Sequence, residues 1–184
     1  MSALPVPFYQ NPFPAMTAQS SYDTQFSNPW PGTVADNSGA QDFVTGVNET
    51  LYIPFGVLVC ADEGNLDNGI RLPASEADVQ AALGIAVRTG AMESRRDGNP
   101  PSYQPGDPTN VMKQGRMWIA PETAVVKGGA VYARITANSP LLQLGAFRAD
   151  NDGGKAILVP NAKFANSQTS PSQPALIEFN RLGL

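Results

Sequence analysis

The chain has no histidine and a single cysteine, Cys60, among its 184 residues. Without histidine, Ser-His-Asp and Cys-His nucleophile systems and the usual zinc sites are excluded. One cysteine allows no disulfide within the chain. Cys60 follows Val57-Leu58-Val59 and reads as a small buried hydrophobe, because a catalytic thiol needs a histidine or a cationic pocket beside it. Charge is scarce too, at 15% of residues against roughly 25% in ordinary soluble domains. So few charges fit a surface partly covered in a complex, or a small β-protein with a Ser/Thr/Asn surface. No stretch approaches the ~20 apolar residues of a membrane span.

Basic residues are absent from the first 70 positions, which carry seven acids: Asp23, Asp36, Asp42, Glu49, Asp62, Glu63 and Asp67. All twelve basic residues lie at Arg71 or beyond, against nine acids, so a stretch of net charge −7 precedes one of +3. The overall charge of −4 argues against nonspecific nucleic-acid binding, which needs clustered cations. Arg95-Arg96 is the lone adjacent basic pair and reads as a solvated loop. Met1-Ser2-Ala3-Leu4-Pro5 has neither a basic nor a continuous apolar region, so no secretory signal is expected.

Several short motifs fail on inspection. No lysine has a serine three residues upstream, so the Ser-x-x-Lys signature is missing. Gly153-Gly154-Lys155-Ala156 has Ala149 where a phosphate loop needs its first glycine, and Ala156 where magnesium needs Ser or Thr. Asp150-x-Asp152-Gly153 could start a calcium loop, but no glutamate follows at the required distance, and a hairpin turn is the reading. Asp62-Glu63 lies in a turn-rich stretch where solvated acids are the norm, although sugar hydrolysis needs only two carboxylates. No catalytic residue, metal ligand or cofactor-binding residue is assigned, and an enzyme is not expected.

What the chain does have is proline, glycine and aromatics in a particular place. Pro5, Pro7, Pro12, Pro14, Pro29 and Pro31 alternate with Phe8, Tyr9, Phe13, Tyr22, Phe26 and Trp30. Proline fixes φ and disfavours helix at the preceding residue, so this stretch should be extended or turn-rich. Disordered tails are usually poor in aromatics. Residues 1–40 therefore read as an extended arm that becomes ordered on another surface, with Phe8, Tyr9, Phe13, Phe26 and Trp30 as its partner-binding anchors. Intramolecular packing on the body is the alternative for each.

Residues 41–184 read as a compact β-barrel or β-sandwich body with at most one or two short helices. Short strand patterns recur every 8–12 residues between turn signals. Leu51 to Cys60 reads as two strand pieces around a kink. Asn68-Gly69, Lys127-Gly128-Gly129 and Asp150 to Gly154 read as hairpin turns. Ser75-Glu76-Ala77-Asp78 reads as a capped helix start, running to Ala82 and stopped by Gly84. Val111 to Ala120 reads as a strand pair, or one strand with a glycine bulge at Gly115. Tyr52, Trp118 and Tyr132 are taken as core aromatics rather than an exposed row.

Ile53-Pro54-Phe55-Gly56, Leu72-Pro73, Leu83 to Arg88, Tyr103-Gln104-Pro105-Gly106-Asp107, Gly115 to Ile119, Gly128 to Tyr132, Gly145-Ala146-Phe147 and Ala175 to Asn180 occur in that order. Together they resemble the cement, or decoration, proteins of tailed-bacteriophage capsids. The resemblance begins near residue 51 and leaves about the first 50 residues outside it. It implies a non-enzymatic β-body bound to the outside of the head and clamping neighbouring major capsid subunits. The implied partners are the major capsid protein and further copies of the chain, as a dimer or trimer, with no nucleic acid, no membrane and no cofactor. Synthesis in the host cytoplasm would follow. The alternatives are another virion β-module, at a head fibre base or on the tail, or a carbohydrate-binding or hydrolytic barrel.

Overall fold

The computed structural model describes residues 29–35, 41–49, 52–90, 101–137, 143–171 and 173–180. In chain order the elements are β1 (Asp42–Asn48), β2 (Ile53–Pro54), β3 (Leu58–Asp62), β4 (Asn65–Arg71), α1 (Glu76–Gln80), β5 (Gly84–Ala86), β6 (Ser102–Tyr103), β7 (Pro108–Ile119), β8 (Ala130–Arg134), β9 (Phe147–Arg148), β10 (Ala156–Phe164) and β11 (Ala175–Asn180). The protein is mainly β, as the turn spacing implied.

Strands β1, β4, β3, β5 and β7 are hydrogen-bonded in that order, and β1 also pairs with β7. That last pairing closes a five-stranded barrel and removes its open edges. From β7 the sheet continues through β11, β10 and β8 to β9. The twelve-residue β7 belongs to both parts: Pro108 to Gln114 pairs with β1, and Gln114 to Ile119 pairs with β11. The change falls at Gln114, beside Gly115 at φ 138°, and a register shift between Asp42 and Phe43 leaves Lys113 as the extra residue on β7. The bulge expected at Gly115 lies two residues earlier, at Lys113, and marks the joint between barrel and flanking sheet.

The kink within residues 51–60 is also present, with Gly56 at φ 76° between β2 and β3. Along β3, Leu58, Val59 and Cys60 are all buried. Val59 packs inside the barrel with Ile53, Phe55, Ile70, Tyr103 and Val111. Leu58 packs with Ile85, Met112, Met117, Ile119 and Ile177 between the barrel wall and the flanking sheet. A strand buried on both faces reads as a continuous apolar run, which is why β3 shows no alternation. Burying each of these large side chains contributes about 1.5–3 kcal/mol.

Helix α1 keeps the expected cap. Asp78 N–H donates to Ser75 Oγ at 3.2 Å, and Ser75 N–H donates to Asp78 Oδ2 at 3.0 Å. The helix stops at Gln80, earlier than expected, and Gly84 opens β5 instead of ending the helix. A Cβ on Gly84 would lie 2.2 Å from the Met112 carbonyl oxygen, so this glycine serves the β5–β7 approach.

Three hairpin readings are corrected. Asn68-Gly69 lies within β4; the turn is at Glu63-Gly64, where Gly64 N–H donates to Asp62 Oδ2 at 3.1 Å. Gly69 is needed for contact, since its Cβ would stand 2.7 Å from Asn65 O. Lys127 to Gly129 does turn, with Gly129 N–H donating to Val126 O at 2.9 Å, but β8 pairs with β9 and β10 rather than with Thr123 to Val126. Gly128 N–H donates to Phe164 O at 2.7 Å, so β10 captures the turn. The Asp150 to Gly154 stretch joins strands on either side of β8 instead of forming a hairpin.

Candidate partner-binding cleft

Residues 29–35 pack on the body through the backbone of β7. Gly32 N–H donates to Trp118 O at 2.7 Å, Trp118 N–H to Thr33 O at 2.9 Å, and Ala35 N–H to Arg116 O at 3.0 Å. Val34 bridges Met117, which on its other edge pairs with Ile177 of β11. Arg88 N–H donates to Gly32 O at 2.8 Å, tying the same segment to the end of β5. Such a close approach needs Gly32, whose φ is 84° and whose Cβ would stand 2.6 Å from Phe55 Cβ.

This docking leaves Trp30 at the rim of a cleft of about 480 Å³. Its walls include Trp30, Pro31, Pro54, Phe55, Pro101 and Pro121, with Arg88 and Glu122 as the charged lining. Trp30 is 67% exposed. The Arg88 guanidinium carbon lies 4.9 Å from the Trp30 ring centre and 5.4 Å from that of Phe55. Such cation–π contacts contribute about 0.5–1 kcal/mol at exposed sites. Phe55 is held edge-to-face by Tyr103 at 5.3 Å and 88°. Tyr103 is fully buried, and its hydroxyl donates to Val87 O at 2.5 Å. Burial raises the Tyr103 pKa, so the phenol stays neutral.

Beneath the cleft, Glu122 belongs to an ionic cluster. Arg134, with no solvent exposure, donates from Nε to both Glu122 oxygens at 2.8 and 2.9 Å and from Nη2 to Asp152 at 2.9 Å. Arg148 contacts Glu122 at 3.2 Å, Asp150 at 2.7 Å and Asp152 at 3.0 Å. Hydrogen bonding from Arg134, with the charge of Arg148 nearby, lowers the Asp152 pKa. Asp152 sits at φ 46°, a left-handed conformation uncommon for a residue with a Cβ, and these two arginines hold it there. Asp150 and Asp152 thus serve as partners of Arg148 and Arg134.

Of the expected anchors, Trp30 lies at this cleft; Phe8, Tyr9, Phe13 and Phe26 lie outside the described residues. The core assignment of three other aromatics is corrected. Tyr52 is 50% exposed, and Trp118 and Tyr132 are only half-buried. Strand alternation gives the inward positions to Met117 and Ile119 on β7 and to Val131 and Ala133 on β8. The sequence reading missed the convergence of Phe55, Arg88 and Pro121 on Trp30. The one local signal is Ile53-Pro54-Phe55-Gly56, which reads in sequence as a strand kink and a family element rather than a cleft wall.

The fold is a closed five-stranded barrel with a flanking sheet and an aromatic–proline cleft. The family model described as "Structural cement protein (E217 gp24/Pam3 gp6)" matches residues 18–180, and the chain belongs to that family. It is therefore a structural protein of the phage virion associated with the capsid shell, and the family implies a non-enzymatic role. The match reaches back to residue 18, into a stretch that the sequence reading had left outside the resemblance. A chain from a structure entitled "The capsid of Myoviridae Phage XM1" has a similar fold, with TM-score 0.65, 18% identity, 90% of this chain covered and 99% of that one. No curated protein matches.

Proposed function

We propose that the protein binds the outer surface of the phage head and clamps neighbouring major capsid subunits through its body and its aromatic–proline leader. The observation that supports this most directly is the position of Trp30. It stands exposed at the cleft rim, where the leader joins a body that holds residues 32–35 by backbone hydrogen bonds. A leader anchored so firmly at its base transmits tension from whatever its far end grips.

Clamping requires contact area rather than chemistry. A standard protein interface buries about 1,600 Å² in all, and apolar area contributes about 25 cal/mol per Å² before ordering costs. Once the body has docked, engagement of the leader is effectively intramolecular, which raises avidity. Phe8, Tyr9, Phe13, Phe26 and Trp30 are the anchors in this reading, since aromatics give large rigid contacts. The arm–body division and assembly as a dimer or trimer belong to the same proposal.

The test is removal of residues 1–28, which leaves the docked segment intact. The truncated protein should keep its fold and occupy purified heads less tightly, and those heads should rupture at lower temperature. Unchanged occupancy removes the leader from the mechanism. Imaging of native particles should show the protein across the outer icosahedral lattice; a few copies at one vertex would overturn the surface assignment.

A further inference from the structure

We propose that the cleft beside Trp30 receives the leader of a neighbouring copy, specifically the segment Pro5 to Pro14, so that copies on the head are linked arm to cleft. This inference rests on the clamping reading and names a partner for the cleft.

The cleft has the chemistry that recognises an extended proline-rich chain. Trp30 and Phe55 supply ring faces, and Pro31, Pro54, Pro101 and Pro121 supply rigid apolar walls. Grooves of aromatics and prolines suit polyproline-type segments, which dock with little loss of conformational entropy. Arg88, stacked over both rings, holds them as one apolar face. The sequence Pro5-Val6-Pro7-Phe8-Tyr9-Gln10-Asn11-Pro12-Phe13-Pro14 contains two Pro-x-Pro units and three aromatics and has no charge. It places no cation against Arg88 and no acid against Glu122.

Length favours a neighbour over the chain's own cleft. Trp30 is itself a wall of the cleft, so a leader serving its own body needs only a short return. With Pro5 to Pro14 seated, the 14 residues that connect it to Pro29 can span about 43 Å in polyproline form. The body, from its residue count, is roughly 35–40 Å across. The reach thus just exceeds the width of one body, enough for the cleft of an adjoining copy.

The experiment uses full-length protein on heads, with a benzoyl-phenylalanine photocrosslinker in place of Phe13. Heads are decorated with an equal mixture of isotopically light and heavy copies, and crosslinked peptides are read by mass spectrometry. Crosslinks from position 13 to peptides containing Phe55 or Pro121, with light–heavy pairs as frequent as random mixing gives, are expected. The cleft variant Pro121→Arg should reduce them several-fold, with an unchanged circular dichroism spectrum confirming the fold. Same-isotope pairs alone would show the leader in its own cleft and overturn the proposal. Crosslinks to major capsid protein alone would also overturn it while leaving the clamp intact. Failure of the clamp itself would instead appear as unchanged occupancy after deletion of residues 1–28.

Discussion

Gly32 and Gly56 meet backbone to backbone: a Cβ on Gly56 would lie 2.7 Å from Gly32 N, and a Cβ on Gly32 would lie 3.0 Å from Gly56 N. Through this contact the end of the leader seats on the kink between β2 and β3, and it is what forms the cleft. Both residues have positive φ, 84° and 76°. Alanine at either position incurs a left-handed penalty of about 1–2 kcal/mol and overpacking of about 1–3 kcal/mol. Gly32→Ala and Gly56→Ala should each lower the melting temperature by about 5–10 °C. Because the two abut, the double variant should lose less than the sum. Calorimetry on the three proteins checks this, and an additive loss would argue against the contact.

Trp30→Ala should separate stability from binding. The ring is mostly exposed, so its loss costs about 0.5–1 kcal/mol of stability through the Arg88 contact. Occupancy on heads should fall at least tenfold if Trp30 is an anchor. Titration of purified heads beside a thermal melt gives both numbers.

The Arg134 cluster should tolerate loss of a partner poorly. Arg134→Met leaves the carboxylates of Glu122 and Asp152 with Arg148 as their shared cation. Removing one member of a buried ionic network costs about 3–5 kcal/mol. The urea midpoint should drop accordingly, and Glu122→Gln in the same background should recover part of the loss. No recovery would mean that the pair is uncoupled.

Stability should fall in acid, partly through Asp78. Burial opposes ionisation of this carboxyl, but Arg71, bonded at 2.7 and 2.9 Å, the Ala74 amide and the Ser75 side chain outweigh it. Its pKa is lowered from 3.8 to about 2. A depressed carboxyl contributes stability that is present above its unfolded value and is lost as pH falls through the folded value. The loss from Asp78 should therefore lie between about pH 4 and 2. Glu178 and Asp152 are lowered as well and should add to the slope. Urea unfolding across this range, compared with Asp78→Asn, should show a shallower dependence in the variant.

Cys60 should be inert while the protein is folded. Burial, reinforced by Asp78 and Asp62 against the opposing charge of Arg71, pushes its thiol up to about 12. Alkylation by iodoacetamide at pH 8 should be negligible in the native protein and rapid in 6 M guanidinium, as mass spectrometry would show. Rapid native labelling would place Cys60 outside the core.

Local signals in the chain specified much of the β-body. The Ser75–Asp78 cap, the Gly56 kink and the Ala175–Asn180 strand each arise from neighbours within a few residues, so pattern alone exposes them. The side-chain facing of Trp118 and Tyr132 was not legible, because a strand offers two faces and the flanking sheet decides which one is covered. Nor was the destiny of Asn68-Gly69, since a hairpin dipeptide and a close-packed strand glycine look alike without the strand opposite.

Residue order alone established the proline-spaced, cation-free leader, the absence of histidine chemistry and the cement-protein resemblance, because these are properties of composition and order. Only the folded arrangement could close β1 onto β7, bury Arg134 among carboxylates drawn from positions 122 and 152, and set Trp30 beside Phe55 and Arg88. Those pairings join residues distant along the chain, and long-range contacts are chosen by the packing of the whole barrel and sheet rather than by any local preference.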